Sequence, residues 1–267
     1  MSTLNWSFYA HTQRDCCQHR ERNVAFHSSE TTSRHQGGAP DRRRSTMRTF
    51  ATTAAVTAVL DIPAGRIQLI AADRADATVD VRPANPAKGA DVKAVDQVSV
   101  EFADGVLRIA AAPARNRILG DSGSVEVTVQ LPAGSRVEAR TAAAELRGVG
   151  RLGDVVFEGA QGPVKLDEAA SARLSLLAGD ITVGRLGGSA EISTQKGDLR
   201  IAEAKGGTVV LRTAAGDITV GAARGVSAVL DAGTSYGRVH NALQNAGQAG
   251  LTVHATTSYG DITARSL

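Results

Sequence analysis

Gly179-Asp180-Ile181-Thr182-Val183, Gly197-Asp198-Leu199-Arg200-Ile201 and Gly216-Asp217-Ile218-Thr219-Val220 decide how this chain is read. Each is a turn dipeptide followed by a short run rich in β-branched residues, and the steps between them are 18 and 19 residues. Outward from this core, Gly237-Arg238-Val239 is a degenerate copy 21 residues on, and Gly260-Asp261-Ile262-Thr263 follows after 23. Gly153-Asp154-Val155-Val156 precedes them. A fixed period of this size, with a turn and a strand in each unit, is the signature of a stacked β architecture. A second strand lies between the Gly-Asp strands, at residues 173–176, 190–194, 209–212 and 228–231. Each coil thus offers two strands, which pair with their copies about 4.8 Å above and below. The glycines supply backbone freedom at the corner, and the aspartates supply a short side chain that hydrogen-bonds the turn. The expected structural turn residues are Gly153, Asp154, Gly179, Asp180, Gly197, Asp198, Gly216, Asp217, Gly237, Gly260 and Asp261.

Upstream of the repeats, the sequence alternates apolar and polar residues over short runs broken by Gly, Asp, Asn and Pro. Residues 66–70, 78–81, 98–102 and 106–109 read as strands, and Ala103-Asp104-Gly105 reads as a hairpin turn between the last two. Residues 125–131 form the clearest strand pattern in the chain, closed by Pro132-Ala133-Gly134. Asn85-Pro86-Ala87-Lys88 starts like a helix, with Asn as N-cap and Pro at the first helical position, so one short helix is expected near 86–95. The fold expected is all-β: a strand-rich portion over 48–136 with one short helix, then a β-solenoid or β-helix-like repeat stack over 137–267.

Charge separates the first 46 residues from the rest. Of 30 basic and 27 acidic residues, seven Arg and four acids lie in residues 1–46, which leaves 23 of each sign in the body. The pI near 9.1 therefore belongs to the tail, and a nucleic-acid partner for the body has no electrostatic support. The tail also holds both cysteines and four of the six His, and it shows no apolar periodicity. It reads as disordered, or as an extension upstream of a start at Met47. It is not a secretory signal, and no stretch approaches the roughly 20 apolar residues of a membrane span. A cytoplasmic location is expected, with surface location as the alternative; the body, without cysteine, has no disulfide to decide it.

The body resembles the bacterial putative-adhesin family of β-strand-repeat proteins of unknown function, and is most similar to its actinobacterial members. The residues that carry the resemblance are Pro83 to Asp96 (PANPAKGADVKAVD), Gln130-Leu131-Pro132-Ala133-Gly134-Ser135, Arg151-Leu152-Gly153, the repeated Gly-Asp-Ile-Thr-Val, and the closing Thr257-Ser258-Tyr259-Gly260-Asp261-Ile262-Thr263-Ala264-Arg265. It covers residues 48–267 and implies a mostly β, repeat-built domain. No catalytic residues come with it.

Four motifs imitate chemistry. Gly120-Asp121-Ser122-Gly123-Ser124 looks like the surroundings of a serine-protease nucleophile, but the body's two histidines, His240 and His254, lie downstream, against the chain order that chemistry uses in the protease it imitates. Gly233-Thr234-Ser235-Tyr236-Gly237 matches a nucleophile elbow, which requires a following helix; none is patterned here, and Thr257-Ser258-Tyr259-Gly260 repeats the element. Asp180, Asp198, Asp217 and Asp261 could line one edge and bind Ca²⁺ or cleave glycans, yet the dense Gly-Asp nonapeptides of calcium β-rolls are absent and a turn role suffices. His11, Cys16, Cys17, His19 and His27 lack the spacing of a structural zinc site. No cofactor, metal or catalytic residue is expected.

Three functions follow. The first is a non-enzymatic interaction or scaffold protein, with an unknown protein partner or self-association through the solenoid ends. The second is a cell-surface adhesin. The third is a polysaccharide-acting β-helix enzyme, which the shortage of aromatics disfavours: the body has Phe50, Phe102, Phe157, Tyr236 and Tyr259 and no other.

Overall fold

Every second residue of the repeat strands is apolar, and that alternation is what the fold buries. In the computed structural model, which describes residues 46–111 and 123–267, the strands are β1 (Thr46–Ala51), β2 (Thr57–Asp61), β3 (Ala64–Ala72), β4 (Asp76–Pro83), β5 (Val98–Ala103), β6 (Val106–Ala111), β7 (Val125–Pro132), β8 (Arg136–Gln161) and β9 (Val164–Ala178). They continue as β10 (Ile181–Leu186), β11 (Ala190–Lys196), β12 (Leu199–Ala204), β13 (Gly207–Ala215), β14 (Ile218–Ala222), β15 (Ala228–Tyr236), β16 (Val239–Ala242), β17 (Leu251–Tyr259) and β18 (Ile262–Ser266). One helix, α1 (Gly89–Asp96), accompanies them. The readings of the tail and of Gly120-Asp121-Ser122 lie outside the described residues.

The repeats wind as a flattened coil with two strand faces. On one face β9, β11, β13, β17 and β15 pair in parallel; on the other β9, β10, β12, β14, β18 and β16 do the same. Inward side chains from both faces meet in one core: Val164, Leu166, Leu174, Ile181, Val183, Ile192, Leu199, Val209, Leu211, Ile218 and their copies are buried. Small inward groups such as Ala172, Ala190 and Ala204 let the faces approach, so the core closes with Phe157 as its one buried aromatic among the described residues.

The parallel stack starts earlier in the chain than residue 137. β2 and β3 already pair in parallel with β8, a 26-residue strand that bends around more than one coil. At this end, antiparallel strands close the coil. β6 lies beside β2 and turns back into β5, while β7 lies beside β3 and continues through β4 to β1. The β5–β6 hairpin turns through Asp104 and Gly105, both at positive φ (51° and 74°), as the Asp-Gly pair predicts. The buried Ser135 of the Leu-Pro-Ala-Gly-Ser stretch donates to Pro132 O (2.7 Å) and accepts from Val56 N (3.1 Å), tying β7 to the first coil.

The expected helix needs correction. The helix starts at Gly89, not Pro86. Asn85 Oδ1 accepts from Ala87 N (2.9 Å) and Asn85 O accepts from Lys88 N (3.0 Å), so the residues expected to cap a helix make a turn of their own. Asp91 holds that turn, accepting from Asn85 N and Ser124 N at 3.0 Å each.

The coils do not stack in chain order at the C-terminal end. The last coil in sequence, β17 and β18, lies between the β13–β14 coil and the β15–β16 coil. The terminal coil in space is therefore β15–β16. Composition explains the exchange. The inward positions of β17–β18 are Leu251, Val253, Ala255, Thr257, Ile262 and Ala264; the equivalent positions of β15–β16 are Ala228, Leu230, Ala232, Thr234, Val239 and Asn241. Asn241 stands opposite the fully buried Ala264, and in an interior coil its amide would need buried partners. The more apolar coil takes the covered slot, and the polar one faces water, as capping repeats do.

Candidate functional site: the open end of the stack

The corner between the two faces is built from the predicted Gly-Asp units, with one substitution. Gly162, Gly179, Gly197, Gly216, Gly260 and Gly237 form a column of positive-φ residues in spatial order. At Gly197 (φ +142°) an added Cβ would stand 2.2 Å from Gly179 O, and at Gly216 (φ +151°) 2.0 Å from Gly197 O, so the coils approach too closely there for any side chain. Gly162-Pro163 fills the place expected of Gly153-Asp154. Its signal in the sequence was a turn dipeptide of another kind, just before Val164-Lys165-Leu166. Gly153 and Asp154 sit at the opposite edge, where Gly153 N donates to Ser135 O (2.9 Å) and Asp154 accepts from Ser171 Oγ (2.6 Å).

The four column aspartates come together as the sequence implies, and their chemistry is that of a turn ladder. Asp180 Oδ1 accepts from Asp198 N (2.9 Å), Asp198 Oδ1 from Asp217 N (2.8 Å), Asp217 Oδ1 from Asp261 N (2.8 Å) and Asp261 Oδ1 from Arg238 N (2.8 Å). Each carboxylate thus caps the next coil's amide, and the ladder stops at Arg238, which brings no carboxylate to the open end. Just inside, threonines repeat the logic: the buried Thr213 and Thr257 and the half-buried Thr234 donate to Gly197 O (3.2 Å), Gly216 O (3.1 Å) and Gly260 O (3.1 Å). The only buried side-chain polar atom left without a partner among the described residues is Thr141 Oγ1, in β8. Among the described residues no group of three or more His, Cys, Asp or Glu is placed to hold a metal ion. No described helix is long and apolar enough to cross a membrane.

The end coil is different in kind from those below it. Among the described residues β15 has one strand neighbour, β17, and β16 has one, β18, so their outer backbone groups lack a ladder partner, apart from Ala228 N, which donates to Gln244 O (3.0 Å). Val239, an inward residue by register with the buried Ile262, is 46% exposed, and every residue of β16 is exposed. Tyr236 and Tyr259 stack with ring centroids 4.9 Å apart and an interplanar angle of 4°, at 67% and 59% exposure. Tyr236 is the last of its column, so its outer ring face is open. His254 Nδ1 lies 3.1 Å from Asp231 Oδ2, on the outward face of β15 and β17. Ser235 projects outward four residues further along β15, about 13 Å by strand rise, so the G-x-S-x-G match assembles no Ser-His pair. It is a strand end and a corner, with Thr234 bound to Gly260 O.

Elsewhere the outer faces carry ion pairs across neighbouring coils. Two shallow grooves on the outer face, of about 400 and 370 Å³, run beside the Arg136–Asp154 and Arg140–Glu158 pairs. At the antiparallel end Arg74 grips Asp76 through two bonds (2.7 and 2.9 Å), donates to Thr78 Oγ1 (2.9 Å) and reaches Gln130 Oε1. The bond from Arg74 holds the Asp76 carboxyl below its ordinary 3.8 and raises the guanidinium in turn. Phe50 and Phe102 stack at 5.2 Å on this end.

A two-faced coil stack, ended on one side by antiparallel strands whose outer members are β1 and β5 and on the other by the parallel β15–β16 coil, defines the class: an all-β repeat domain with exposed strand edges. The chain belongs to the Toastrack DUF4097 family, whose model matches residues 11–265 and so reaches back into the segment before Met47. Among solved structures, a putative adhesin from Bacteroides fragilis aligns at TM-score 0.55 and 13% identity, covering 83% of this chain and 97% of that one. A putative cell adhesion protein from Clostridium sporogenes aligns at TM-score 0.40 and 12% identity (84% and 100%). A putative lipid binding protein from Parabacteroides distasonis aligns at 0.42 and 13% (82% and 96%). No curated protein matches the chain.

Proposed function

We propose that this domain is a non-enzymatic interaction module that works through its open end, by adding a strand from a second copy of the chain to β15 and β16. One observation carries the reading: the end coil leaves its backbone edge, Val239 and the outer face of Tyr236 uncovered. Charge supports a like partner. The end coil carries Asp231, already beside His254, and Arg238 where lower coils carry Asp, so two such ends meet without opposing carboxylates. The Gly-Asp carboxylates, each engaged with a backbone amide, support a structural role for the residues an enzyme would need.

The test is sedimentation velocity over a concentration series, comparing the full chain with a Val229→Lys, Val239→Lys variant. Charges on an edge strand block pairing. The reading expects concentration-dependent association in the parent and its loss in the variant, with a melting temperature lowered by less than about 4 °C through the half-buried Val239 methyls. Equal association in both refutes it. Replacing Asp180, Asp198 and Asp217 by Asn tests the non-enzymatic part: turnover of any polysaccharide by the parent, lost in that variant, overturns it.

Surface adhesion is the second reading, favoured by the fold shared with the Bacteroides fragilis putative adhesin. Protease shaving of intact cells separates the two: cleavage before lysis supports adhesion, and protection until lysis removes it.

A further inference from the structure

The coil order at the C-terminal end has a consequence for assembly. The chain leaves β14, passes over one coil position through residues 223–227, lays down β15–β16, and then returns through 243–250 to fill the gap with β17–β18. Both neighbours hold the inserted coil in the same register: Thr257 lies opposite Thr213 on one side and Thr234 on the other, and Ile262 opposite Ile218 and Val239. The β15–β16 coil could therefore rest directly on β13–β14 with no shift of register, and the slot is a site that either closes or accepts a matching pair of strands.

We infer that the β17–β18 coil is an exchangeable insert, and that two copies of the chain can form a closed dimer in which each fills the other's slot. The occupant is identified by its fit. The slot demands apolar inward residues at the places of Leu251, Val253, Ala255 and Ile262. It demands a corner Gly with a carbonyl for Thr234 Oγ1, and a following Asp that accepts from Arg238 N. The chain's own C-terminal coil meets all of these, so a second copy reproduces every bond and creates no new interface. Slot contacts that would re-form in trans include Gly216 N to Tyr259 O, Ile218 N to Asp261 O and Gly260 N to Tyr236 O, each 2.9 Å. The linker permits it: residues 243–250 are exposed apart from the half-buried Leu243, and they reach roughly 25 Å when extended, against one coil step of about 4.8 Å. The bonds that hold the linker are few enough to be broken and remade: Ala228 N donates to Gln244 O (3.0 Å), and Gly250 N to Ser227 O and Gly207 N to Gly250 O (2.9 Å each). Ser227 Oγ meets Asn245 Oδ1 (3.1 Å) and Ala246 N (3.1 Å), and Gln244 N donates to Ser266 Oγ (2.9 Å).

The experiment places a covalent reporter across the slot. Arg212 and Thr256 are register partners on the exposed side of β13 and β17, so Arg212→Cys with Thr256→Cys sets two thiols within disulfide reach. Cys16→Ser and Cys17→Ser remove the native thiols. The full-length protein is held at rising concentrations in urea below its unfolding midpoint, returned to buffer, oxidised and run without reductant. Exchange predicts a disulfide-linked dimer whose ratio to monomer rises in proportion to monomer concentration. Only intrachain bonds at every concentration overturn the inference. A dimer by mass whose disulfides are all intrachain also overturns it, while leaving the end-to-end reading of the function standing. Unsubstituted heavy- and normal-isotope chains provide the second measurement. Mixed dimers must form as slowly as the β17 amides exchange with solvent; mixing that is complete at once contradicts exchange.

Discussion

Ile262 and Val239 are equivalent residues of neighbouring coils, and truncating each to Ala tests the coil order directly. Ile262 is 1% exposed, covered by Ile218 on one side and Val239 on the other. Removing its three outer carbons leaves a cavity in a covered layer, a loss of about 3 kcal/mol. Val239 is 46% exposed and has a neighbour on one side only. Its two methyls carry about 0.8 kcal/mol each when fully buried, so half-burial leaves a cost below about 1 kcal/mol. At about 2–4 °C per kcal/mol for a domain of this size, Ile262→Ala should lower the melting temperature by about 6–12 °C and Val239→Ala by less than about 4 °C. Thermal unfolding followed by circular dichroism reads both. Coils stacked in chain order would reverse the ranking, with Val239 covered and Ile262 at the end. A Val239→Ala loss equal to or larger than that of Ile262→Ala refutes the insertion.

Ala264→Asn should cost about 2–3 kcal/mol by burying an amide in the covered slot, whereas Asn241→Leu should leave stability unchanged or raised, both read by urea unfolding. Asp198→Ala removes the acceptor of Asp217 N and should cost about 1 kcal/mol, while Asp198→Asn keeps an acceptor oxygen and should cost less; equal losses would deny the ladder its hydrogen-bonding role. Gly197→Ala should cost more than about 2 kcal/mol, since the new Cβ meets Gly179 O at a strained φ; a neutral result contradicts the corner geometry. Asp76, held below 3.8 by Arg74, contributes stability above pH 3.8 that is lost as pH falls through its lower folded value. Asp76→Asn should therefore flatten the acid limb of the stability curve below pH 4 and leave its neutral region parallel to the parent.

Much of this architecture is written locally. The Gly-Asp corners, the alternating strands and the Asp104-Gly105 hairpin each declare themselves through the residues that make them, because a corner glycine and an alternating strand answer to neighbours at fixed offsets. Three features answer to distant residues and escaped. Asn85 makes a turn because Asp91 and Ser124 are there to hold it. Gly153-Asp154 reads like the other units, yet it falls on the opposite edge because β8 runs past a full coil before turning. The insertion of β17–β18 depends on comparing two coils with each other. Its signal was present: Gly237-Arg238 breaks the Gly-Asp rule and Asn241 stands in an inward place. Both are signs of a coil with no successor above it. The open end, and with it the candidate site, was legible as a possibility of any solenoid, but which coil forms it follows only from the pairing of β15 and β16 with β17 and β18.

Amide hydrogen exchange over residues 228–266 tests the central claim most directly. A covered coil has ladder partners on both sides, while an end coil leaves alternate N–H groups facing water. The account predicts that the β17 and β18 amides are protected to the level of β13 and β14, and that alternate amides of β15 and β16 exchange fast. Fast exchange in Leu251–Tyr259 beside uniform protection in Ala228–Tyr236 would contradict it.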